Sequence, residues 1–254
     1  MAVALYLIYL LIPIVLLLVG SFGARWTNTL LPEGFTTAWY VQVATDPSFR
    51  RAFTTSLTVA AGVAVTVLVT ATPLAWALAT GGGTASRLAL RLVALLPIAV
   101  PELVLAFGFV VVFSSDALPF LGSTWLLVLG VSVVTLPYMV QTLAADIRHL
   151  GLAALEQAAE SLGASSWRRF IDIVLPSLRH SLLAGLMTVT ALTIGEFQLA
   201  NLVSGFLSRP FPVVLLQAFY GAAGFACAAT VVLLVLAVLA STGAALAARG
   251  AARA

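Results

Sequence analysis

The chain has no lysine; its 12 basic side chains are all arginine. Without a lysine, no phosphate-binding loop ending in Gly-Lys-Ser/Thr can be built, which excludes ATP hydrolysis by that route on this chain. There is one cysteine, Cys227, so no intrachain disulfide can form. Its place in an apolar run suits a small buried hydrophobe. There are only two histidines, His149 and His180, and no His-Glu-x-x-His stretch, so a zinc protease is unsupported. Gly163-Ala164-Ser165-Ser166-Trp167 is not a Gly-x-Ser-x-Gly nucleophile elbow. A Ser–His intramembrane protease would need a histidine inside an apolar run, and neither lies in one. Charge is the largest deficit. Only 8% of residues are charged, against about a quarter in soluble domains.

Apolar residues fill that gap, at 62% of the chain. They form six long runs, about 3–22, 54–80, 88–113, 124–146, 181–204 and 222–248, each near the roughly 20 residues that a bilayer core requires. The composition therefore predicts an all-α integral membrane protein with six transmembrane helices in one domain, 1–254. The first run lacks a basic leading segment and exceeds the usual signal-peptide core, so an uncleaved helix kinked at Pro13 is expected. Residues 23–53 are mixed, with Trp26, Trp39 and Tyr40 suited to a membrane interface. Gly81-Gly82-Gly83 is followed by Thr84-Ala85-Ser86-Arg87 and predicts a turn, not a phosphate cradle. A short apolar piece around 213–219, after Pro210 and Pro212, is a candidate re-entrant segment.

The arginines orient the spans. With both termini inside, the inner segments hold Arg87, Arg91, Arg148, Arg168, Arg169, Arg179, Arg249 and Arg253, eight in all; the outer ones hold Arg25, Arg50, Arg51 and Arg209, four. That asymmetry obeys the positive-inside rule. The net charge of +3 thus reports topology, and no nucleic-acid partner is expected.

The longest polar interruption runs from Leu155 to Pro176 and falls on the inner side. Leu155, Ala158, Ala159 and Leu162 recur at helical spacing and predict one apolar helix face. Gly163 stands where a helix commonly ends in a left-handed residue. Ser165 or Ser166 can cap a second helix, with Trp167, Phe170 and Val174 on its apolar face and Pro176 closing it.

This stretch resembles the "EAA" loop of ABC importer permeases, which reads Glu-Ala-Ala, three residues, Gly, nine residues, then Ile-x-Leu-Pro. Ala158, Ala159, Gly163, Ile173, Leu175 and Pro176 match at the family's spacing; Gln157 replaces the motif's Glu, with Glu156 just before it. The resemblance implies that residues 155–176 form a cytoplasmic coupling-helix loop. Glu156, Gln157, Ala158, Ala159, Gly163, Ala164, Trp167 and Arg168 would contact a cytoplasmic ATPase dimer. It also implies that ATP and Mg belong to that partner, that this chain is not an enzyme and needs no cofactor, and that a second, identical or homologous permease completes the pathway. An extracytoplasmic solute-binding protein would deliver the solute. The expected location is the bacterial inner membrane, multi-pass, with both termini cytoplasmic.

Two carboxylates fall inside apolar runs, Glu102 about midway in the third and Glu196 beyond the middle of the fifth. A carboxylate near the bilayer centre costs roughly 2.5–3.5 kcal/mol on insertion scales and persists only with a partner or a wet path. Read as one helix, 181–204 puts Thr193 on the face of Glu196 and Gln198 nearly opposite. Glu102, Thr193, Glu196 and Asn201 are thus candidates for a solute pathway. The alternative is that both glutamates are hydrogen-bonded structural groups or sit at helix ends. Gly195-Glu196-Phe197 is similar to the subgroup that handles polyamines, thiamine, ferric iron, aminoalkylphosphonates or oxyanions. Two acids, with Arg91 counted to the inner segment and no arginine deeper in the spans to offset them, favour an amine-bearing or cationic solute. Two other classes fit the same features: a proton-coupled secondary transporter using Glu102 and Glu196, and a non-transporting scaffold subunit.

Overall fold

The computed structural model describes residues 2–26, 31–81, 83–235 and 238. In chain order these form α1 (Ala2–Ser21), a hairpin of β1 (Gly23–Arg25) and β2 (Glu33–Phe35), α2 (Ala38–Thr45), α3 (Pro47–Thr80), α4 (Thr84–Ala99), α5 (Glu102–Phe113) and α6 (Thr124–His149). Then come α7 (Leu152–Ser161), α8 (Ser166–Arg168), a π-helical turn (Arg169–Val174), α9 (Leu175–Ser177), α10 (Arg179–Gly195), α11 (Gln198–Val203), α12 (Phe211–Phe219) and α13 (Ala223–Val235). The chain is almost wholly helical. The hairpin pairs antiparallel, Gly23 opposite Phe35 and Arg25 opposite Glu33. It is the one named sheet among the described residues and lies in the interfacial stretch 23–53.

Two compact units divide the chain, one through Ser56 and again from Arg209, the other Leu57–Ser208. The first has an aromatic centre. Phe49 meets Phe211 and Phe225 edge-on, with ring centroids 5.3 and 5.0 Å apart. Such pairs add to the burial of the rings. The Phe211 N–H donates to Ser56 Oγ at 2.8 Å. Trp39 Nε1 donates to the Gly23 carbonyl at 2.8 Å, and Tyr40 Oη pairs with Ser21 Oγ at 2.7 Å. Trp39 and Tyr40 thus satisfy their polar ends inside the unit. Cys227 is half-buried, where a Cβ on Gly20 would press on its sulfur.

In the second unit α6 is the central helix. Leu127, Met139, Val140, Leu143, Ala144 and Ile147 are all within 1% of complete burial. Helix α10 packs along α6, α4 lies against α6, and α11 against α5. Gly185 permits the α6–α10 approach, because a Cβ there would overlap the Met139 sulfur. The segment after α5 is held to the end of α11. Gly122 N donates to Val203 O (3.0 Å), and Ser208 Oγ donates to Gly122 O (2.6 Å).

Two of the six apolar runs are not single helices. Run 88–113 breaks at Val100 and Pro101, both extended, because proline disfavours helix in the residue before it. Run 181–204 stops at Gly195 and restarts at Gln198. Among the described residues two helices, Pro47–Thr80 and Thr124–His149, are long and apolar enough to cross a bilayer; Ser166–Ser177 with Arg179–Gly195 would make a third if that pair, bent by 72°, is one span. Pro13 and Pro73 both lie inside helices. Helix α3 begins at Pro47, ahead of the expected run. Arg87 lies in the first turn of α4, three residues after Thr84; Gly82, and the arginines 249 and 253, lie outside the described residues.

Candidate functional site

The polar loop folds into a bent pair of helices fixed by its own backbone. Helix α7 ends in a Schellman motif: Gly163 N donates to Glu160 O (2.9 Å) and Ala164 N to Ala159 O (3.0 Å). The motif needs a left-handed residue, and Gly163 has φ +84°. Ser165 then caps the next helix, its hydroxyl accepting from Arg168 N at 3.4 Å. An ion pair of 2.8 Å joins Arg169 to Glu160 across the bend. Glu160 is well exposed, so the pair contributes only ~0–1 kcal/mol. Pro176 does not close the second helix. The helix runs through a π turn to Ser177 and then bends into α10.

The apolar face of α7 points outward, opposite to the usual amphipathic pattern. Leu155 is 52% exposed, Leu162 88% and Trp167 72%. Gln157, Ala158, Gly163 and Arg168 are exposed beside them, while Ala159 and Ala164 are half-buried. Inward go Leu152 and Glu156, both nearly buried. Glu156 is therefore corrected from a surface contact to an internal one. Its carboxylate accepts a hydrogen bond from Trp76 Nε1 on α3 at 2.7 Å. The Trp76 ring lies 5.1 Å from that of Phe170, which is 6.2 Å from Trp167. Trp76 is a partner of the loop that the sequence reading missed. The signal was present, since a tryptophan N–H in an apolar run requires an acceptor.

A second constellation surrounds the two carboxylates of the apolar runs. A cavity of about 370 Å³ is lined by Glu102, Thr135, Tyr138, Glu196 and Gln198 among others. The break in each run places both glutamates at helix ends. Glu102 is the first residue of α5. Glu196 ends α10 and accepts from the N–H groups of Leu199 (2.6 Å) and Ala200 (2.9 Å) at the start of α11. Its carboxylate thus satisfies donors that a helix start leaves unpaired. Because the helix stops at Gly195, Gln198 turns into the cavity and is not opposite Glu196. Thr193 is buried, donates to Val189 O at 2.7 Å and does not line the cavity. Asn201 is exposed and does not line it either.

This geometry separates the roles of the two acids. Glu196→Gln sets an NH₂ donor among backbone N–H groups and leaves one unpaired, at a cost of ~1–3 kcal/mol. A fall in the midpoint of detergent-solubilised thermal unfolding is expected for Glu196→Gln. Glu102→Gln, whose carboxylate caps nothing, is expected to leave the midpoint unchanged. Equal midpoints for both variants would remove the capping role of Glu196.

With these features in place, comparison with known proteins is informative. The sequence model of the family described as binding-protein-dependent transport system inner membrane component matches residues 71–251. The sulfate transport system permease protein CysW of Escherichia coli K12 is 35% identical over 116 residues, 43% of this chain and 40% of that protein. The putative 2-aminoethylphosphonate transport system permease protein PhnV of Salmonella typhi is 26% identical over 195 residues, 77% of this chain and 73% of that protein. The matched stretches span only 21–40% of the length of four sulfate permeases, those of Synechococcus elongatus and Chlamydomonas reinhardtii included. The membrane fold of a bacterial ABC transporter involved in alginate import superposes with a TM-score of 0.70 at 15% identity, covering 96% of this chain and 92% of that one. At that identity the likeness concerns the fold alone. The family match covers well over half of the chain, including the bent loop and both carboxylates, and the chain belongs to the inner-membrane permease family of binding-protein-dependent ABC importers.

Proposed function

We propose that this chain forms one half of a solute pathway and is driven by a cytoplasmic ATPase dimer seated on residues 155–176. The observation that carries this is the outward apolar face of that loop. Leu155, Leu162 and Trp167 are exposed around a left-handed Gly163, although the same segment buries a glutamate. Burying an acid while exposing large apolar groups is unfavourable for an isolated chain and favourable for one that receives a partner there. ATP and Mg would reside on the ATPase. A second permease subunit would close the other side of the pathway, and an extracytoplasmic binding protein would deliver solute, as the family description implies.

The solute class we propose is a small cationic or amine-bearing one, an aminoalkylphosphonate before a polyamine or thiamine, with ferric iron as the metal-ion alternative. Glu102 and Glu196 share one cavity, and among the described residues no arginine lines it. The long match to PhnV agrees with an amine and an oxyanion on one molecule. Reconstitution with and without ATPase and binding protein tests this. Uptake of 2-aminoethylphosphonate only when all components are present is the expected result. Uptake without the ATPase would make the chain a secondary transporter, and no uptake in any combination would make it a scaffold.

The orientation has its own test. In a Cys227→Ala background, Ser48→Cys is expected to react with an impermeant thiol reagent applied outside intact cells, and Ser161→Cys only after lysis. Labelling of Ser161→Cys from outside would reverse the topology.

A further inference from the structure

A second polar cavity, of about 320 Å³, is lined by Arg87, Arg91 and Arg148 together with Gln141. Arg87 and Arg91 are one helical turn apart on α4, and Arg148 comes from α6. Among the described residues no carboxylate lines this cavity. Arg148 Nε donates to Ala144 O at 3.1 Å, which holds its guanidinium at the cavity beside Arg91. Arginine is the side chain whose planar fork matches a tetrahedral oxyanion, because two parallel N–H groups meet two oxygens. The cavity's α6 residues, 141 and 148, continue the helical row of 134 and 138, which line the cavity of the two glutamates. Acidic and basic cavities therefore lie along one face of one helix.

We infer that Arg87, Arg91 and Arg148 form a binding site for a phosphate- or phosphonate-type oxyanion. Two sources supply that chemistry. One is the headgroup of an anionic phospholipid in the inner leaflet, for which Leu88, Leu92 and Leu95 on α4 offer more than half-exposed apolar surface to acyl chains. The other is the oxyanion of a solute leaving the acidic cavity. Only the second source rests on the proposed transport function; the site itself rests on three arginines lining one cavity.

The full chain is tested after delipidation, by binding alone, so that failure of transport does not enter. One arm counts phosphatidylglycerol against phosphatidylcholine retained in native mass spectra after mixing with vesicles of equal parts of each. The other titrates inorganic phosphate and 2-aminoethylphosphonate by calorimetry. The variants are Arg91→Gln/Arg148→Gln and the charge-keeping pair Arg91→Lys/Arg148→Lys, with Arg50→Gln/Arg51→Gln as a control elsewhere. Wild type and control are expected to bind an oxyanion probe, the Gln pair about tenfold or more weaker per arginine removed, and the Lys pair in between. Loss of phosphatidylglycerol selectivity identifies the lipid source, and loss of phosphate or phosphonate heat identifies the solute source. Both side chains are exposed, and the Lys pair preserves topology, so misfolding of the Gln pair leaves the Lys pair to decide. If neither arm distinguishes wild type from the Lys pair and the Gln pair, the arginines only orient the helices and the site does not exist.

Discussion

Gly163→Val is expected to give a permease that inserts normally, fails to retain the ATPase and loses coupled transport. Gly163 has φ +84°, and nothing lies within 4 Å of where its Cβ would be. The damage is therefore conformational and not steric. A left-handed residue other than glycine costs ~1–2 kcal/mol, and a β-branched one is a stronger outlier. The cheapest escape is to give up the two Schellman hydrogen bonds, from Gly163 N to Glu160 O and from Ala164 N to Ala159 O, which together set the bend. The exposed faces holding Leu155, Leu162 and Trp167 would then no longer be presented together. All apolar runs are untouched, so membrane yield should match wild type. The measurement is co-purification of ATPase with each permease, alongside solute-stimulated ATP hydrolysis in proteoliposomes. Undiminished binding and coupling in Gly163→Val would show that 155–176 is not the docking element.

The second large effect concerns the link between that loop and helix α3. Trp76→Phe keeps a ring beside Phe170 and removes only the N–H that Glu156 accepts at 2.7 Å. Glu156 is 5% exposed, so its carboxylate loses its recorded partner with little water to replace it. Hydrogen bonds to charged groups are worth ~1.5–3 kcal/mol net. A loss of that size raises the local opening equilibrium of α7 about ten- to hundredfold. Amide hydrogen exchange over 153–162 should quicken by that factor, while exchange in the buried part of α6 stays unchanged. Solute-stimulated ATP hydrolysis should fall, with ATPase binding retained, because movement at the loop would reach α3 less directly. Glu156→Gln keeps an acceptor oxygen for the indole and should behave nearly as wild type. Wild-type exchange rates in Trp76→Phe would mean that the loop is held by its backbone motif alone.

Several features follow from local chemistry and needed no tertiary contacts. The low charge and long apolar runs determine a helical membrane protein, because only helices and closed barrels satisfy their backbone groups in lipid, and barrel strands are short and alternate in hydrophobicity. Gly163 followed by Ser165 and Ser166 determines a left-handed helix stop and a new N-cap at one of the two serines, both of which act within six residues. The arginine distribution supports the proposed orientation in the same local way. What the sequence could not determine is which way each side chain points once neighbours are present. Helical periodicity placed Leu155 and Leu162 on one apolar face of α7 without deciding which way it points, and the family resemblance placed Glu156 among the docking residues; packing turns that face outward and pairs Glu156 with Trp76 on α3, 80 residues away. Apolar composition carried 88–113 and 181–204 through as unbroken helices. The structure breaks them, at Val100–Pro101, where the proline disfavours helix in the residue before it, and after Gly195, where the Glu196 carboxylate accepts from the opening N–H groups of α11. That break, and not sequence spacing, turns Gln198 toward Glu196 and leaves Thr193 buried beside them, since a residue's facing is a property of the contacts its helix makes.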